Sequence, residues 1–375
     1  MFFGATSFLL SLASFQTLVS GAVSSEHVSE ALPSTTIFTP PSSYKIPRTL
    51  YARTLLTSDK TLLATWENYG PEPPYFPIYQ SRDDGKTWSE IGRVKDQKWG
   101  WGMRYQPFLY ELPREFGDYP AGTILAAGSA IPADLSVTQL ELYASKDKGK
   151  TWHFVSHVAK GGKAQPNNDQ TPVWEPFLMM DEGKLVYYYS DQRRNNSHGQ
   201  LLTHQVTRDL RTWDAPVDDV VDPRQNGRPG MTTIARLPNG KHILTYEWVN
   251  PPSGNGQPVH FRLSANPLKF DSAPDYALKA QDGTVPNGSP YVVWTPAGGA
   301  NGTIVVSCGS RSEVFINRGL AAPGTPWIKV STPAPVSYSR SLLVMSDPKY
   351  VLITGGGVLN GASNKVTAVS IDVSK

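Results

Sequence analysis

Only one cysteine, Cys308, occurs in the 375-residue sequence, so the chain cannot form an internal disulfide. Its place in the apolar run 304–308 predicts a small, buried side chain. The seven histidines show neither metal-ligand spacing nor carboxylates clustered beside them. No G-x-S-x-G elbow and no phosphate-binding loop occurs. These absences exclude a disulfide-built scaffold, and no metal or other cofactor is predicted.

Clusters of one charge sign are missing as well. The formal net charge is +3 without a basic run, so nothing predicts binding to nucleic acid or to an anionic membrane. Helical periodicity over eleven or more residues is not found, whereas 32 glycines and 32 prolines are typical of a chain rich in turns. We expect a β protein that is a monomer.

The apolar stretch at residues 7–19 is too short and too rich in serine to span a bilayer. Small residues at 20–22 offer a cleavage site, which predicts a secretory signal peptide over residues 1–22, although a basic n-region is missing. Residues 23–375 are then a single secreted, extracellular domain. Three glycosylation sequons near loops agree with secretion, and they begin at Asn195, Asn287 and Asn301.

An eight-residue motif occurs twice in the chain. Ser81–Trp88 and Ser145–Trp152 both read S-x-D-x-G-x-T-W, and 64 residues separate Trp88 from Trp152. An Asp that accepts backbone N–H groups, followed by a Gly able to adopt positive φ, is typical of a turn. The Trp then starts the next strand, so the motif predicts a hairpin with a structural Asp. A motif that returns at a long period indicates an array of like units.

Weaker copies of the motif end at Trp213 and Phe270, and Trp327 follows in the same rhythm. The mean step of about 60 residues is enough for four short strands with their loops. Five marked units and one unmarked unit after Trp327 predict an all-β fold, a six-bladed β-propeller of four-stranded antiparallel sheets. The last unit is too short for a fourth strand. A segment near residues 35–39 is predicted to supply that strand and close the ring.

Propeller geometry selects the side chains that face the central mouth. Strands alternate in direction within a blade, so the start of strand one, the end of strand two and the start of strand three emerge on the same face. Ligands usually bind over that mouth. Six residues are predicted to face one pocket there: Glu175, Glu247, Arg262, Arg311, Tyr338 and Arg340.

Two of these residues are carboxylic acids in apolar surroundings. Desolvation disfavours the ionised form, so one acid of the pair could hold its proton near neutrality. Paired carboxyl groups are what glycoside cleavage requires. The alternative is that Glu175 and Glu247 each pair with an arginine and hold blades together. Glu67 and Asp191, which end other second strands, are rival candidates as structural ligands or substrate binders.

The two complete repeats resemble the Asp boxes of the sialidase superfamily. Tyr44-Lys45-Ile46-Pro47 is similar to its F/Y-R-I-P motif, and the order Glu247, Arg262, Arg311, Tyr338 follows the sialidase order of Glu, two arginines and a nucleophilic Tyr. Lys45, however, stands where an arginine should help to bind the carboxylate of sialic acid, and lysine cannot form the bidentate fork.

A second resemblance, to glycoside hydrolase family 93, covers nearly the whole mature chain. Its members are exo-α-1,5-L-arabinanases, secreted six-bladed propellers that retain anomeric configuration and release arabinobiose from linear arabinan, a neutral polysaccharide. Trp174-Glu175-Pro176-Phe177 resembles the acid/base site of the family, Tyr246-Glu247-Trp248 the nucleophile site and Ser337-Tyr338-Ser339 the site of a tyrosine that hydrogen-bonds the nucleophile. The resemblance implies these three catalytic roles. Further candidates for substrate binding are Lys45, Trp99, Trp101, Arg104, Arg262, Arg311 and Arg340.

Three functions remain open at this point. The first is the exo-acting arabinanase. The second is a sialidase-like hydrolase with Tyr338 as nucleophile. The third is a sugar-binding propeller without catalysis, since Asp boxes also occur in proteins that are not enzymes. For Trp99 and Trp101, packing between blades is the alternative to stacking on sugar.

Overall fold

Six four-stranded antiparallel sheets form the body of the protein, in a computed structural model that describes Met1 and residues 31–375. The innermost strand of each sheet contacts that of the next sheet along the chain, and the sixth contacts the first. The predicted six-bladed propeller is therefore confirmed. Within the described residues no helix is long and apolar enough to cross a membrane. Apart from Met1, the predicted signal peptide lies outside the described residues.

Within each blade the strands are given in order from the central channel outwards. Blade one consists of β2 (Thr49–Leu56), β3 (Leu62–Asn68), β4 (Phe76–Ser81) and β5 (Ser89–Val94). Blade two consists of β6 (Met103–Glu111), β7 (Ile124–Ala130), β8 (Thr138–Ser145) and β9 (His153–Gly161). Blade three consists of β10 (Val173–Asp181), β11 (Lys184–Asp191), β12 (Leu201–Thr207) and β13 (Val217–Val221).

The second half of the ring repeats this order. Blade four consists of β14 (Arg228–Arg236), β15 (His242–Val249), β16 (Val259–Ser264) and β17 (Asp275–Ala277). Blade five consists of β18 (Tyr291–Thr295), β19 (Thr303–Ser307), β20 (Val314–Asn317) and β21 (Ile328–Val330). Blade six consists of β22 (Ser341–Val344), β23 (Tyr350–Gly355), β24 (Val366–Asp372) and β1 (Thr35–Phe38).

The N-terminal strand β1 closes the ring, as the sequence predicts. It pairs antiparallel with β24, with Thr35 opposite Ala368. Ahead of this strand the backbone N–H of Leu32 donates to Ser370 Oγ (2.6 Å). The outer edge of β24 is thereby covered, and β1 becomes the outermost strand of blade six.

The blades pack face to face, so their central strands are buried on both sides. In β11 three consecutive tyrosines, Tyr187, Tyr188 and Tyr189, are fully buried. Two of their hydroxyls find partners, Tyr188 donating to the carbonyl of Pro267 in blade four (2.8 Å) and Tyr189 donating to Gln205 (2.9 Å). A buried tyrosine thus contributes apolar area and still satisfies its polar group. This packing gives the rigid frame on which the mouth residues are held.

Each repeated motif forms the same turn between the third and fourth strands of its blade. Asp83 accepts the N–H of Thr87 (2.9 Å) and its hydroxyl (2.6 Å), and Asp147 does the same with Thr151. Gly85 and Gly149 have φ of 89° and 91°, values that favour glycine. The turns lie at the face opposite the mouth, so their acids are structural.

Within blade one, the neighbouring acids Asp83 and Asp84 provide a matched test of this turn. Asp83→Asn replaces one acceptor oxygen with a donor facing Thr87, and we expect it to lower the free energy of unfolding by about 1–2 kcal/mol. Asp84 is exposed and makes no side-chain hydrogen bond within the described residues, so Asp84→Asn should change stability by less than about 0.5 kcal/mol. Urea denaturation measures both, and equal effects would contradict the role of Asp83.

Candidate active site

The inner strands of blades one to four each carry a bulge where they pair with the second strand. One residue of each bulge has positive φ, which is uncommon outside glycine, and these residues are Tyr51, Gln106, Glu175 and Met231. In blade five Ser289, just ahead of β18, also has positive φ. Bulges of this kind redirect side chains and backbone N–H groups. All five residues lie near the start of an inner strand, at the mouth of the channel.

Glu175 owes its position to the bulge in β10. Its Oε2 accepts the hydroxyl of Ser190 (2.6 Å) and the N–H of Met231 (2.9 Å), the bulge residue of blade four. The side chain is buried. Burial raises the pKa of Glu175, and these two hydrogen bonds, together with the charges of Arg228 and Arg53, oppose the rise only in part. Glu175 therefore keeps its proton to higher pH than an exposed glutamate.

Glu247 lies near the end of β15 and opens into the same pocket. Its Oε2 accepts the N–H of Ser289 (2.7 Å), from the next blade. Burial raises the pKa of Glu247 to about 7, and the charge of Glu175 adds to the rise, while the Ser289 N–H and Arg228 oppose it. Both acids therefore hold their protons to higher pH than exposed glutamates do.

Tyr338 completes this group from blade six. Its ring centroid lies 6.4 Å from that of Tyr51, and its backbone N–H donates to the carbonyl of Gly357 (2.9 Å). Burial raises the pKa of Tyr338 well above its usual value, and the charges of Glu247 and Glu175 raise it further. Its hydroxyl is therefore a donor at neutral pH. The expected hydrogen bond to Glu247 is not formed, since the Tyr338 hydroxyl has no hydrogen-bond partner in residues 31–375.

These three side chains line one pocket at the channel mouth, with a volume of about 630 Å³. All six blades contribute to its wall. The prediction that Glu175, Glu247 and Tyr338 face one pocket is confirmed, while their catalytic roles stay predictions. The arrangement offers two acids with raised pKa and a protonated phenol around one cavity, which is suited to acid/base and nucleophilic chemistry on a neutral ligand.

The three arginines predicted to face the pocket do not line it. Strand three of blade four begins at Val259, so Arg262 lies deeper and donates to the carbonyls of Asp219 (3.3 Å), Phe270 (2.8 Å) and Asp271 (3.1 Å). Strand two of blade five ends at Ser307, so Arg311 is an exposed loop residue. Arg340 is fully buried and donates to the carbonyls of Cys308, Ser312 and Glu313.

Lys45 and Arg104 also lie outside the pocket lining, contrary to expectation. Both bind Glu72: Arg104 forms a bidentate pair with its two carboxylate oxygens (3.0 and 2.7 Å), and Lys45 Nζ lies 3.5 Å from Oε1. The side chain of Lys45 is 72% exposed. The three residues form a surface ion-pair network near the joint between blades one and two.

Trp99 and Trp101 do not line the pocket, and Trp99 is half-exposed. Their rings stack on each other (centroids 5.2 Å apart, 16° between planes), and Trp99 also lies against His157 of blade two. The carboxylate of Asp96 accepts four backbone N–H groups of this loop, those of residues 98, 99, 101 and 102. The loop therefore holds the Trp pair against blade two, which favours the packing interpretation.

The sequons have different surroundings. Asn287 lines the pocket, and its side-chain amide donates to the carbonyl of Val285 (3.1 Å). Asn195 donates from the same group to the carbonyl of Gln170 (3.1 Å). Asn301 is exposed on the turn between β18 and β19. A glycan on Asn287 would obstruct the pocket. Asn301 is the most accessible of the three sites, because the other two are partly buried.

Arg228 is a pocket residue that the sequence analysis missed. It opens β14, and its guanidinium donates to Gln192 (3.1 Å) and Gln200 (3.3 Å). Its charge acts on Glu175, Glu247 and Tyr338. The geometric rule that selects strand starts applies to Arg228, but Pro229 and Gly230 separate it from the apolar residues that begin at Met231, so the apolar pattern does not mark Arg228 as a strand start.

The pocket residues Tyr105 and Gln106 were missed in the same way, because no apolar run in the sequence marks the start of β6 at Met103. Arg53 was missed for another reason, as it lies inside an apolar strand. It is buried, with its guanidinium 3.9 Å above the ring centroid of Tyr51 and donating to Ser339 Oγ (2.9 Å). Its charge opposes the rise in pKa of Glu175.

Of the two rival acids, only Glu67 lines the pocket. Asp191, at the end of β11, forms a bidentate pair with Arg193 (3.0 and 2.6 Å) and is structural.

Comparisons with known proteins agree with this geometry. The chain matches no protein-family model, and no curated protein matches it. Among solved structures it is similar to the GH93 α-L-arabinofuranosidase of Fusarium graminearum in complex with arabinobiose, with 53% identity, a TM-score of 0.90, and coverage of 92% of this chain and 98% of that one. It is likewise similar to the Penicillium chrysogenum α-L-arabinanase complexed with arabinobiose, at 49% identity, TM-score 0.89, and coverage of 92% and 99%.

A more distant likeness is to the NanB sialidase of Streptococcus pneumoniae. Identity is 10% and the TM-score 0.60, over 91% of this chain and 71% of that one. At this distance the likeness concerns the fold alone.

The raised pKa of Glu247 makes the stability of the fold depend on pH. Between the ordinary value of 4.5 and about 7, the folded protein holds a proton that the unfolded chain has lost, so the free energy of unfolding falls as pH rises through this window. Glu247→Gln removes this loss. We expect the stability of the variant relative to wild type to increase by roughly 1–3 kcal/mol between pH 5 and pH 8.

Urea denaturation of both proteins across this pH range measures the effect. Glu115→Gln, at an exposed position, is the control and should follow the wild-type curve. Parallel curves for wild type and Glu247→Gln would contradict the buried, proton-holding state of Glu247.

Proposed function

This chain belongs to glycoside hydrolase family 93, and on that premise we propose that it is an exo-acting α-1,5-L-arabinanase that releases arabinobiose from the non-reducing end of linear arabinan. It is a glycoside hydrolase. The observation that carries the proposal is the pair of buried acids, Glu175 and Glu247, in one pocket of a chain 53% identical to a protein solved with arabinobiose.

In the proposed reaction Glu247 attacks the anomeric carbon while Glu175 donates its proton to the departing O5 oxygen. A covalent arabinosyl-enzyme forms, and Glu175 then acts as base on the water that hydrolyses it, with retention of configuration. Division of the roles follows the family resemblance of the two sequence motifs. The raised pKa of Glu175 supports its role as the acid, because this carboxyl group keeps its proton to higher pH than an exposed glutamate does.

Arg228 and Tyr338 support this chemistry. The charge of Arg228 lowers the pKa of both glutamates and so favours an ionised nucleophile. Tyr338, which holds its proton, can donate a hydrogen bond to an oxygen of the sugar or to Glu247 when substrate fills the pocket. The strained backbone at Glu175, with φ of 64°, points the acid into the cavity.

The surroundings of the pocket weigh against a sialidase-like reaction. Recognition of sialic acid requires a cluster of cations for its carboxylate, and three candidates for that cluster, Arg262, Arg311 and Lys45, lie outside the pocket lining. Three carboxylic acids line it instead, with Arg228 as their neighbour. A neutral sugar suits such a pocket better than an anionic one does.

We also propose that the protein acts outside the cell. A polymer such as arabinan is too large to reach an intracellular enzyme intact, and the apolar segment at residues 7–19 is typical of a secretory signal.

Digestion of debranched arabinan tests the proposed activity. We expect arabinobiose as the main product from the earliest time points, without a ladder of longer oligomers, by chromatographic sizing. Arabinan with chemically reduced reducing ends should be cleaved at the same rate, since attack begins at the other end. Release of a fluorogenic group from a sialoside, or binding of arabinan without turnover, would overturn the proposal.

Substitution of each glutamate separates the two roles. Glu175→Ala should lower kcat on arabinan by about 10²–10⁴-fold, because the leaving oxygen loses its acid. Substrates with a good leaving group, or added azide, should restore much of its turnover. Glu247→Ala should stay inactive on both substrates, because no covalent intermediate can form.

Trapping with a 2-deoxy-2-fluoro glycosyl donor and peptide mass mapping identifies the nucleophile directly. Label is expected on the peptide that contains Glu247. Label on Tyr338 would contradict the mechanism, and the reverse rescue pattern would exchange the roles of the two glutamates.

A further inference from the structure

A third carboxylic acid, Glu67, lines the pocket and has no part in the proposed chemistry. It lies near the end of β3 and is 3% exposed. Its Oε1 accepts the N–H of Gln106 (3.0 Å) and its Oε2 accepts the hydroxyl of Tyr69 (2.8 Å). A carboxylate has about four acceptor positions, so two remain unused by the protein.

Glu67 has the same position and support in blade one as Glu247 has in blade four. Both acids lie near the end of a second strand, and both accept the N–H of a positive-φ residue from the next blade, Gln106 in one case and Ser289 in the other. In a ring of six, blades one and four are opposite each other. Glu67 therefore faces Glu247 from across the mouth.

The acid in this position of blade three shows what a structural role looks like. Asp191 is neutralised by the bidentate guanidinium of Arg193 and does not line the pocket. No ion pair joins Glu67 to any residue in the described part of the chain, and burial raises its pKa to about 7. The charge of Asp191 is thus balanced within its own blade, whereas Glu67 lies beside the pocket without such a partner among the described residues.

The wall beside Glu67 has the composition of a sugar site. Tyr69 and Tyr105 lie with ring centroids 6.4 Å apart, and both line the pocket. Gln106 lines it too, and its side-chain oxygen has no hydrogen-bond partner among the described residues. Aromatic faces pack on the C–H surfaces of a sugar, while the amide and carboxylate can bind its hydroxyl groups.

We propose that Glu67 binds the hydroxyl groups of the second arabinose ring, the one beyond the ring held by Glu175 and Glu247. This inference rests on the proposed function, because release of a disaccharide requires the pocket to hold two rings before the cleaved bond. The unused acceptor positions of Glu67 take the hydroxyl protons of that ring. Glu67 thus sets the length of the product and is not part of the bond-breaking step.

Two aryl glycosides that differ by one ring test the assignment. Glu67→Gln keeps the size of the side chain but turns one acceptor into a donor. We expect kcat/KM for an aryl α-1,5-L-arabinobioside to fall by about 10–100-fold, as for loss of a hydrogen bond to a charged group, while that for the aryl α-L-arabinofuranoside changes less than about 3-fold. Asp191→Asn, the matched acid of blade three, should leave the ratio between the two substrates at its wild-type value.

Equal losses on the two glycosides, or none, would overturn the assignment. Glu67→Asp withdraws the carboxylate by one methylene and gives a second variant, judged by the same ratio, should Glu67→Gln fail to fold. A wild-type enzyme that releases no arabinobiose from arabinan contradicts the proposed function and this inference together. Arabinobiose release by wild type, with equal losses in the variants, contradicts the assignment of Glu67 alone.

Discussion

The hydrogen bond from a bulged backbone N–H of one blade to a carboxylate of the preceding blade links the fold to its pocket. It occurs between Gln106 and Glu67 and between Met231 and Glu175, and Ser289 makes the corresponding bond to Glu247 without a bulge. In each case the donor residue has positive φ, a conformation that costs a non-glycine residue free energy and persists only where its surroundings hold it. The contact between two neighbouring blades therefore also orients an acid at the mouth. The geometry of the site thus depends on correct packing of these blades.

The acids of the pocket differ from those elsewhere in the molecule in whether an arginine neutralises their charge. Outside it, acids such as Asp191 and Glu72 are neutralised by arginine. Inside it, burial raises the pKa of Glu67 and of Glu247 to about 7, and no ion pair with a described residue counters this. The nearby charges of Arg53 and Arg228 lower the pKa of Glu175, but they offset the effect of burial only in part. The pocket thus keeps protons available at neutral pH while remaining receptive to uncharged hydroxyl groups.

Much of the architecture follows from local sequence chemistry. The two complete motifs, with Asp83 and Asp147, predicted the turns, because each motif is satisfied within its own hairpin. The weaker copies and the rhythm up to Trp327 gave the number of blades, and the short last unit predicted the closing strand. The positions of Glu175 and Glu247 followed from strand direction alone. The position of the pocket arginine, Arg228, did not follow from strand direction. Pro229 and Gly230 break the apolar pattern at the start of β14, so Arg228 was not among the predicted pocket residues. Arg262 and Arg340 were misplaced because a shift of a few residues along a strand carries a side chain from the mouth to the backbone beneath it.

The pairing of β1 with β24 joins two segments that are far apart in the sequence. Leu32 and Ser370, which are hydrogen-bonded in the folded protein, are separated by 338 positions along the chain. β1 must therefore stay unpaired until β24 has been made, and the loop that it closes contains blades one to five. Closing so large a loop is entropically costly and slow. Blades one to five can form from contiguous sequence as they emerge from the ribosome, whereas the sixth, and with it the ring, can form only once β24 has emerged.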